Sequence, residues 1–281
     1  MKLGTNHPAV TLMRRFEMFF CHFASAHFCV SNAMSRVLRE EVGIKEPILV
    51  LHDRPASIFQ PILSESDRCK SLRSLPVISP SADAIIAGSC RLLVSSTSWT
   101  PDEDFSVLLE ALCHYSRSAS TDEPDLPSLL VIITGKGPQK ELYLSKIADL
   151  VSSGRLAKVR IETAWLALED YAKLLAVSSL GVCLHTSSSG VDLPMKVVDM
   201  FGAGLPVVGW NKYESWPELV TEGVNGKGFG SSRELALHLV GLFGKNSAQL
   251  TQLRQGAIAE SGRRWDDEWD SVGGKLFQLA R

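Results

Sequence analysis

From Arg91 onward the chain alternates short runs of β-branched and aliphatic residues with stretches of helical periodicity, and this alternation restricts the fold more than any other feature. Runs at 92–94, 129–133, 159–161, 180–184 and 206–209 predict strands. Between them, 104–114, 138–151, 168–177 and 195–201 predict helices. Strand runs apolar at every position cannot leave one face in water. The pattern therefore predicts a parallel sheet covered by helices on both faces, a doubly wound α/β domain. In such a sheet the βα loops leave from the strands' C-terminal ends, where ligands bind.

A chain of 281 residues has room for one large domain or two modest ones at about 100 to 200 residues each. Residues 1–60 carry an aromatic-rich helical pattern at 8–24, a strand at 27–30, a helix opening at Ser31 or Asn32 and a strand at 47–51. This reads as the last βαβ piece of a larger unit. Residues 61–88 shift to Ser, Pro, Arg and Lys without periodicity, which predicts a linker or mobile loop. Residues 89–265 form the complete domain, and 266–281 a C-terminal helix.

Twenty-nine basic against 31 acidic side chains give a formal charge of −2, which excludes a domain held to nucleic acid by bulk phosphate attraction. The six cysteines include no C-x-x-C pair and mostly sit in apolar segments, so they predict buried, reduced thiols rather than disulfides or a zinc site. Residues 10–30 are the greasiest N-terminal stretch, but Arg14, Arg15, Glu17, His22 and His27 interrupt it. It is too charged to span a membrane and lacks the cleavage site of a secretory signal. The chain reads as soluble or at most peripheral.

Three loops carry candidate chemistry. Ser95-Ser96-Thr97-Ser98 leaves the first strand of the domain and runs into Asp102-Glu103-Asp104 at a helix start. Its hydroxyls and free amides could hold an anion, or cap the helix while the acids complement its dipole. The Asp-Glu-Asp imitates a D-x-D metal motif, but its place in a first helical turn favours the dipole role. Gly135-Lys136-Gly137-Pro138 follows the second strand. Its glycines permit a ligand to approach the backbone closely, or simply make a tight turn, and the loop lacks the third glycine of a dinucleotide fingerprint.

The third loop, His185 to Gly202, is the most informative. Ser187, Ser188, Ser189 and Gly190 precede a helix start at Pro194, and Lys196 stands in its first turn, an arrangement suited to a diphosphate. Asp199 is placed to accept ribose hydroxyls, or to pair with Lys196 at i,i+3 on a solvated face. His185, at the strand end beside the serines, is the histidine best placed to touch a ligand, or else a loop histidine satisfied within the protein. The glycines of 223–230 are better explained by an Asn-Gly turn before a short strand. The histidines show no metal-ligand spacing.

Read together, these segments resemble the GT-B glycosyltransferases, and within them the chitobiosyldiphosphodolichol beta-mannosyltransferases. The resemblance rests on Gly4-Thr5-Asn6-His7-Pro8, Phe28 to Met34, Asp53-Arg54-Pro55-Ala56-Ser57, Ser95 to Phe105, Gly135 to Pro138, Leu180 to Gly202 and Arg264 to Trp269. It covers nearly the whole chain apart from 61–88, and the block from Leu180 to Gly202 is its most specific part.

The resemblance implies one complete Rossmann-like C-terminal domain and the last βαβ remnant of an N-terminal, acceptor-side one, without a membrane anchor. It implies inverting transfer of mannose from GDP-mannose, in beta-1,4 linkage, to GlcNAc2-diphosphodolichol, with no metal and no resident cofactor. Ser95 and Thr97 would contact the donor, and Gly135 and Gly137 would admit the nucleotide. Ser187 to Gly190, His185 and Lys196 would meet the diphosphate, Asp199 the ribose and Trp165 the guanine. No catalytic base is assigned; His7 and Glu17 are the polar residues nearest the expected cleft. The implied location is the cytosolic face of the endoplasmic reticulum membrane, with other glycosyltransferases of the pathway as partners and no nucleic acid. Two alternatives stand beside this. One is a non-catalytic GDP-sugar-binding or partner-binding module docking through Phe16, Phe19, Phe20 and Phe23; the other is an enzyme for a different nucleotide sugar.

Overall fold

A proline at the first helical position opens α1 (Pro8–Cys21), whose N-cap is His7: its Nδ1 accepts from the Ala9 amide at 3.2 Å. The computed structural model describes residues 7–186, 189–244 and 247–278. No residue of α1 is buried. Strand β1 (His27–Cys29), helix α2 (Asn32–Glu40) and strand β2 (Ile48–Val50) then form a small βαβ unit, the two strands parallel with His27 opposite Ile48. Ser31 caps α2, its hydroxyl accepting from the Met34 amide at 3.0 Å. The remaining free amides of that turn, Asn32 and Ala33, donate to the two carboxylate oxygens of Glu218 at 2.6 and 2.8 Å.

Residues 61–88, expected as a linker or mobile loop, are instead part of the core. They hold α3 (Glu65–Ser74), a 3-10 turn (Ser79–Ser81) and α4 (Ala82–Ile86). Leu72, Leu75, Ile78, Ala82 and Ile85 recur every three or four residues, and all are at most 3% exposed. The polar Glu-Ser-Asp-Arg-Cys-Lys run of α3 hides this spacing, and Pro76 and Pro80 break it into short pieces.

The domain proper follows the predicted alternation. Its elements are β3 (Cys90–Ser96), α5 (Phe105–Thr121), β4 (Ser128–Thr134), α6 (Lys140–Ser152), β5 (Val159–Ala164), α7 (Leu168–Val177), β6 (Leu180–Cys183) and α8 (Met195–Gly202). After them come β7 (Val207–Trp210), α9 (Trp216–Leu219), β8 (Gly226–Phe229), α10 (Ser232–Phe243), α11 (Ser247–Ser261) and α12 (Trp265–Trp269), with a π-helical turn over Asp270–Gly274. Residues 266–281 are thus a short helix running into that turn, as far as residue 278.

The six strands β3 to β8 pair in parallel in the order β5-β4-β3-β6-β7-β8. The chain starts in the middle, builds outward to one edge, then returns to build the other, which places a crevice between the C-terminal ends of β3 and β6. Alternate residues of one strand enter different cores. Leu92 and Val94 pack with α3, α7 and α8, while Leu93, between them, packs with α5 and α10. This is the two-sided burial that the continuous apolar runs require. All six cysteines are free, four of them buried. Among the described residues, no helix is long and apolar enough to cross a membrane.

Candidate functional site

The crevice at the β3/β6 crossing opens into two cavities that share one wall. One, of about 430 Å³, is lined by Ser96, Thr97, Gly135, Trp165, Tyr171 and Lys196, together with apolar Leu166 and Leu168. The other, of about 310 Å³, is lined by Glu103, His185, Asp192 and Lys196 among others. Thr97 and Gly135 stand just beyond β3 and β4, whereas Lys196 sits in the first turn of α8. Lys196 is the residue common to both.

The loop after β3 is built around one aromatic side chain. Trp99 is fully buried against Phe105 and Tyr143, at 4.8 and 5.9 Å between ring centroids. Its φ of +47° is unusual for a residue other than glycine. Two bonds hold it there: its amide donates to Thr97 Oγ1 at 2.7 Å and its indole Nε1 to the Gly135 carbonyl at 3.3 Å. The glycines of the next loop serve this contact. A Cβ on Gly135 would lie 1.8 Å from the Thr97 carbonyl oxygen, and one on Gly137 1.7 Å from that of Ser98. Their close backbone approach, which the sequence left open between ligand and turn, is to the neighbouring loop.

Of the three acids after Trp99, each has a separate task. Asp104 is the N-cap of α5, accepting from the Ser106 amide at 2.9 Å. The Asp102 carbonyl accepts from the amide and the hydroxyl of Thr186, at 3.2 and 2.6 Å. Glu103 is 2% exposed; its carboxylate accepts from the Thr97 hydroxyl at 2.7 Å and the Ser98 amide at 3.0 Å, and pairs with Lys196. The i,i+3 pair of Lys196 with Asp199 that the spacing permitted does not form. Lys196 reaches back across the crevice instead.

The other predicted residues divide. Ser95 is buried behind the site and its hydroxyl has no partner among the described residues. Trp165 is exposed, with the Lys136 ammonium 4.3 Å from its ring centroid. His185 Nε2 lies 2.9 Å from the Asp192 carboxylate, to whose other oxygen the Ser189 hydroxyl donates at 2.9 Å. Gly190 turns the chain at a φ of +76°, and its carbonyl accepts from the Glu214 amide at 3.0 Å. Ser187 and Ser188 lie outside the described residues. Asp199 lines neither cavity; it stands near Tyr171, and burial pushes its carboxyl up to about 6.

Sequence reading missed Glu103, whose partner lies 93 positions away, and the hydroxyl pair of Ser96 and Tyr171, 2.8 Å apart on the wall of the larger cavity. Burial pushes the Tyr171 phenol up to about 12, so at neutral pH it is a neutral donor and acceptor. Among the described residues no three His, Cys, Asp or Glu side chains are arranged to hold a metal ion.

The N-terminal unit is clamped to this domain through charged groups. Arg54 lies between Glu260 and Glu268, at 3.1 and 2.9 Å, with 6% of its side chain exposed. The Arg36 guanidinium donates to both oxygens of Glu214 at 2.8 and 2.7 Å. The Ser31 hydroxyl donates to the Val191 carbonyl in the loop before α8.

No family model matches the chain. It is 61% identical over 280 residues to the chitobiosyldiphosphodolichol beta-mannosyltransferase of Arthroderma benhamiae, covering 99% of this chain and 62% of that protein. It is 40% identical over 320 residues to the UDP-glycosyltransferase TURAN of Arabidopsis thaliana, covering 99% of this chain and 67% of that one. The chain therefore spans less than two thirds of the mannosyltransferase it most resembles of the two. Among solved structures, Anabaena Alr3699/HepE in complex with UDP superposes with a TM-score of 0.72 at 21% identity, over 99% of this chain and 70% of the other, a likeness of fold. By sequence the chain belongs to the glycosyltransferase family that these two relatives represent, and its fold is of the GT-B type.

Proposed function

We propose that this chain carries the nucleotide-sugar half of a beta-1,4-mannosyltransferase that moves mannose from GDP-mannose to a dolichol-linked chitobiosyl diphosphate. The observation that supports it is the pair of cavities meeting at Lys196, at the topological switch point of the sheet. In this reading the larger cavity takes the nucleoside. Trp165, Leu166 and Leu168 offer an apolar wall to the base, and the Ser96 and Tyr171 hydroxyls offer polar partners beneath it. The diphosphate lies at the junction, where the Lys196 ammonium and the free amides at the start of α8 meet its charge without a metal or a resident cofactor. The sugar then projects toward the smaller cavity and His185.

An acceptor hydroxyl attacks the anomeric carbon from the face opposite the leaving GDP, inverting the centre. A base takes the hydroxyl proton as the new bond forms. Lys196 acts on the leaving side, stabilising the negative charge that grows on the β-phosphate oxygen as the glycosidic bond breaks. Such an acceptor is membrane-bound, so the reading places the protein at the endoplasmic reticulum membrane on its cytosolic face, beside other enzymes of the pathway. A second reading, a non-catalytic module of the same family, draws on α1 and the turn after it, where Phe16, Phe19, Phe20 and Phe23 are all more than half exposed.

Calorimetric titration of the chain with GDP, GDP-mannose and UDP tests the proposal. Guanine nucleotides are expected to bind in preference to UDP, and Lys196→Ala to weaken both guanine ligands. Preference for UDP would transfer the chain to another donor, as the name of the Arabidopsis relative suggests. Absence of any nucleotide binding by folded protein would overturn the reading.

A further inference from the structure

A lysine side chain is a compact charge on a flexible four-carbon stem, and ordering it on ligand binding costs rotamer entropy. In this structure the protein itself holds the Lys196 side chain. Its ammonium is held by Oε1 of Glu103, while Oε2 of the same carboxylate accepts from the Thr97 hydroxyl and the Ser98 amide. Glu103 is itself fixed. A single antiparallel bridge joins its backbone to His185, and the carbonyl of the preceding residue takes both donors of Thr186. Glu103 thus ties together three segments, its carboxylate joining the loop after β3 to the first turn of α8 and its backbone holding the loop after β6. An ammonium carries three protons. With one directed at Glu103, two remain at the junction of the two cavities.

We propose that Glu103 is a positioning residue for anion recognition, fixing Lys196 where it meets the diphosphate of a bound nucleotide. The inference rests on the reading that the cleft takes a nucleoside diphosphate. Two effects of the carboxylate oppose each other. Its charge repels the incoming phosphates, and its grip on Lys196 removes the entropy loss of ordering that side chain. The repulsion is offset, because three donors already surround the carboxylate and one of them, the Lys196 ammonium, neutralises its charge. The ordering therefore dominates, and Glu103 strengthens diphosphate binding without touching the ligand.

The test compares ligands that do and do not carry phosphate. The wild-type chain, Glu103→Gln and Glu103→Asp are titrated calorimetrically with GDP, guanosine and pyrophosphate, each variant first checked by thermal melting. Glu103→Gln is expected to weaken GDP and pyrophosphate about tenfold, and Glu103→Asp, which keeps the charge but retracts it by one methylene, to weaken them less. Guanosine affinity should stay within about twofold in both variants. A merely structural role would lower guanosine and GDP affinity in parallel, and that result overturns the proposal. So does GDP binding as tight as or tighter than wild type in Glu103→Gln, which would make the carboxylate a competitor for Lys196. If Glu103→Gln does not fold, Glu103→Asp carries the same comparison. Wild-type protein that binds pyrophosphate but neither guanosine nor GDP overturns the nucleotide reading alone, and the variants are then compared on pyrophosphate. Failure to bind all three overturns both.

Discussion

Aromatic residues occur in two clusters with opposite environments. Under the loop after β3, Trp99, Phe105 and Tyr143 are at most 6% exposed and interlock with two glycines of the neighbouring loop. On α1 and just past its end, Phe16, Phe19, Phe20 and Phe23 pack on one another, with the Phe16 and Phe20 rings 4.3 Å apart, yet each is more than half in water. Both clusters look alike as composition. The difference is that the first has a sheet, a helix and a second loop to close over it, while no residue of α1 is buried. Clustering of aromatics is therefore no measure of what they contribute; the elements that cover them are.

The contrast can be broken at its strong end first. Trp99→Ala is expected to destabilise the fold by about 3 to 5 kcal/mol, the usual consequence of emptying a fully buried aromatic site. Urea denaturation followed by fluorescence at other tryptophans would show it, and a loss below about 1 kcal/mol would mean that the loop closes over the gap. Gly137→Ala attacks the same contact from the other side. With the Ser98 carbonyl oxygen 1.7 Å from the new methyl, the two loops must separate, and overpacking of this kind is expected to cost about 1 to 3 kcal/mol.

Next in size is a pH effect. Burial raises the folded-state value of Asp199 to about 6, against an unfolded value near 3.9. A carboxyl raised on folding contributes a penalty that is absent below the unfolded value and complete above the folded one. Stability should therefore fall as pH rises from about 4 to 6. The full linkage is halved to about 1 to 2 kcal/mol, because part of the group still contacts solvent. Asp199→Asn should flatten this slope in denaturation midpoints measured across that range; an unchanged slope would assign it to other groups. Smallest of all is Phe19→Ser on α1, expected to move stability by less than about 0.5 kcal/mol while reducing self-association seen by sedimentation. A large loss of stability there would show that the exposed cluster is structural after all.

How much of this was legible in the sequence depended on how local its cause was. Strands such as 129–133 and helices such as 168–177 announce themselves, because continuous burial demands continuous apolarity and a helix face repeats within a few residues. The α3 region did not, since its core positions, Leu72, Leu75 and Ile78, are diluted by polar residues and interrupted by prolines. The loops at 135–138 and 185–202 stand out in the sequence as candidate site segments, but their internal wiring does not. Glu103 reads as one of three similar acids, and only the sheet order, which brings β3 beside β6, sets it against Lys196. Asp199 stands out in the sequence as a helix carboxylate able to accept ribose hydroxyls, and the helical turn carries it to Tyr171 instead of to the cavity wall.

Glu218 supplies Asn32 and Ala33 with acceptors from a position about 186 residues later in the chain. On the ribosome, at roughly 5 to 20 residues per second, that separation amounts to about 10 to 40 s. For this interval the opening turn of α2 exists without the group that completes it. The N-terminal βαβ unit is synthesised before the group that completes it, and its assembly is timed by the domain that follows.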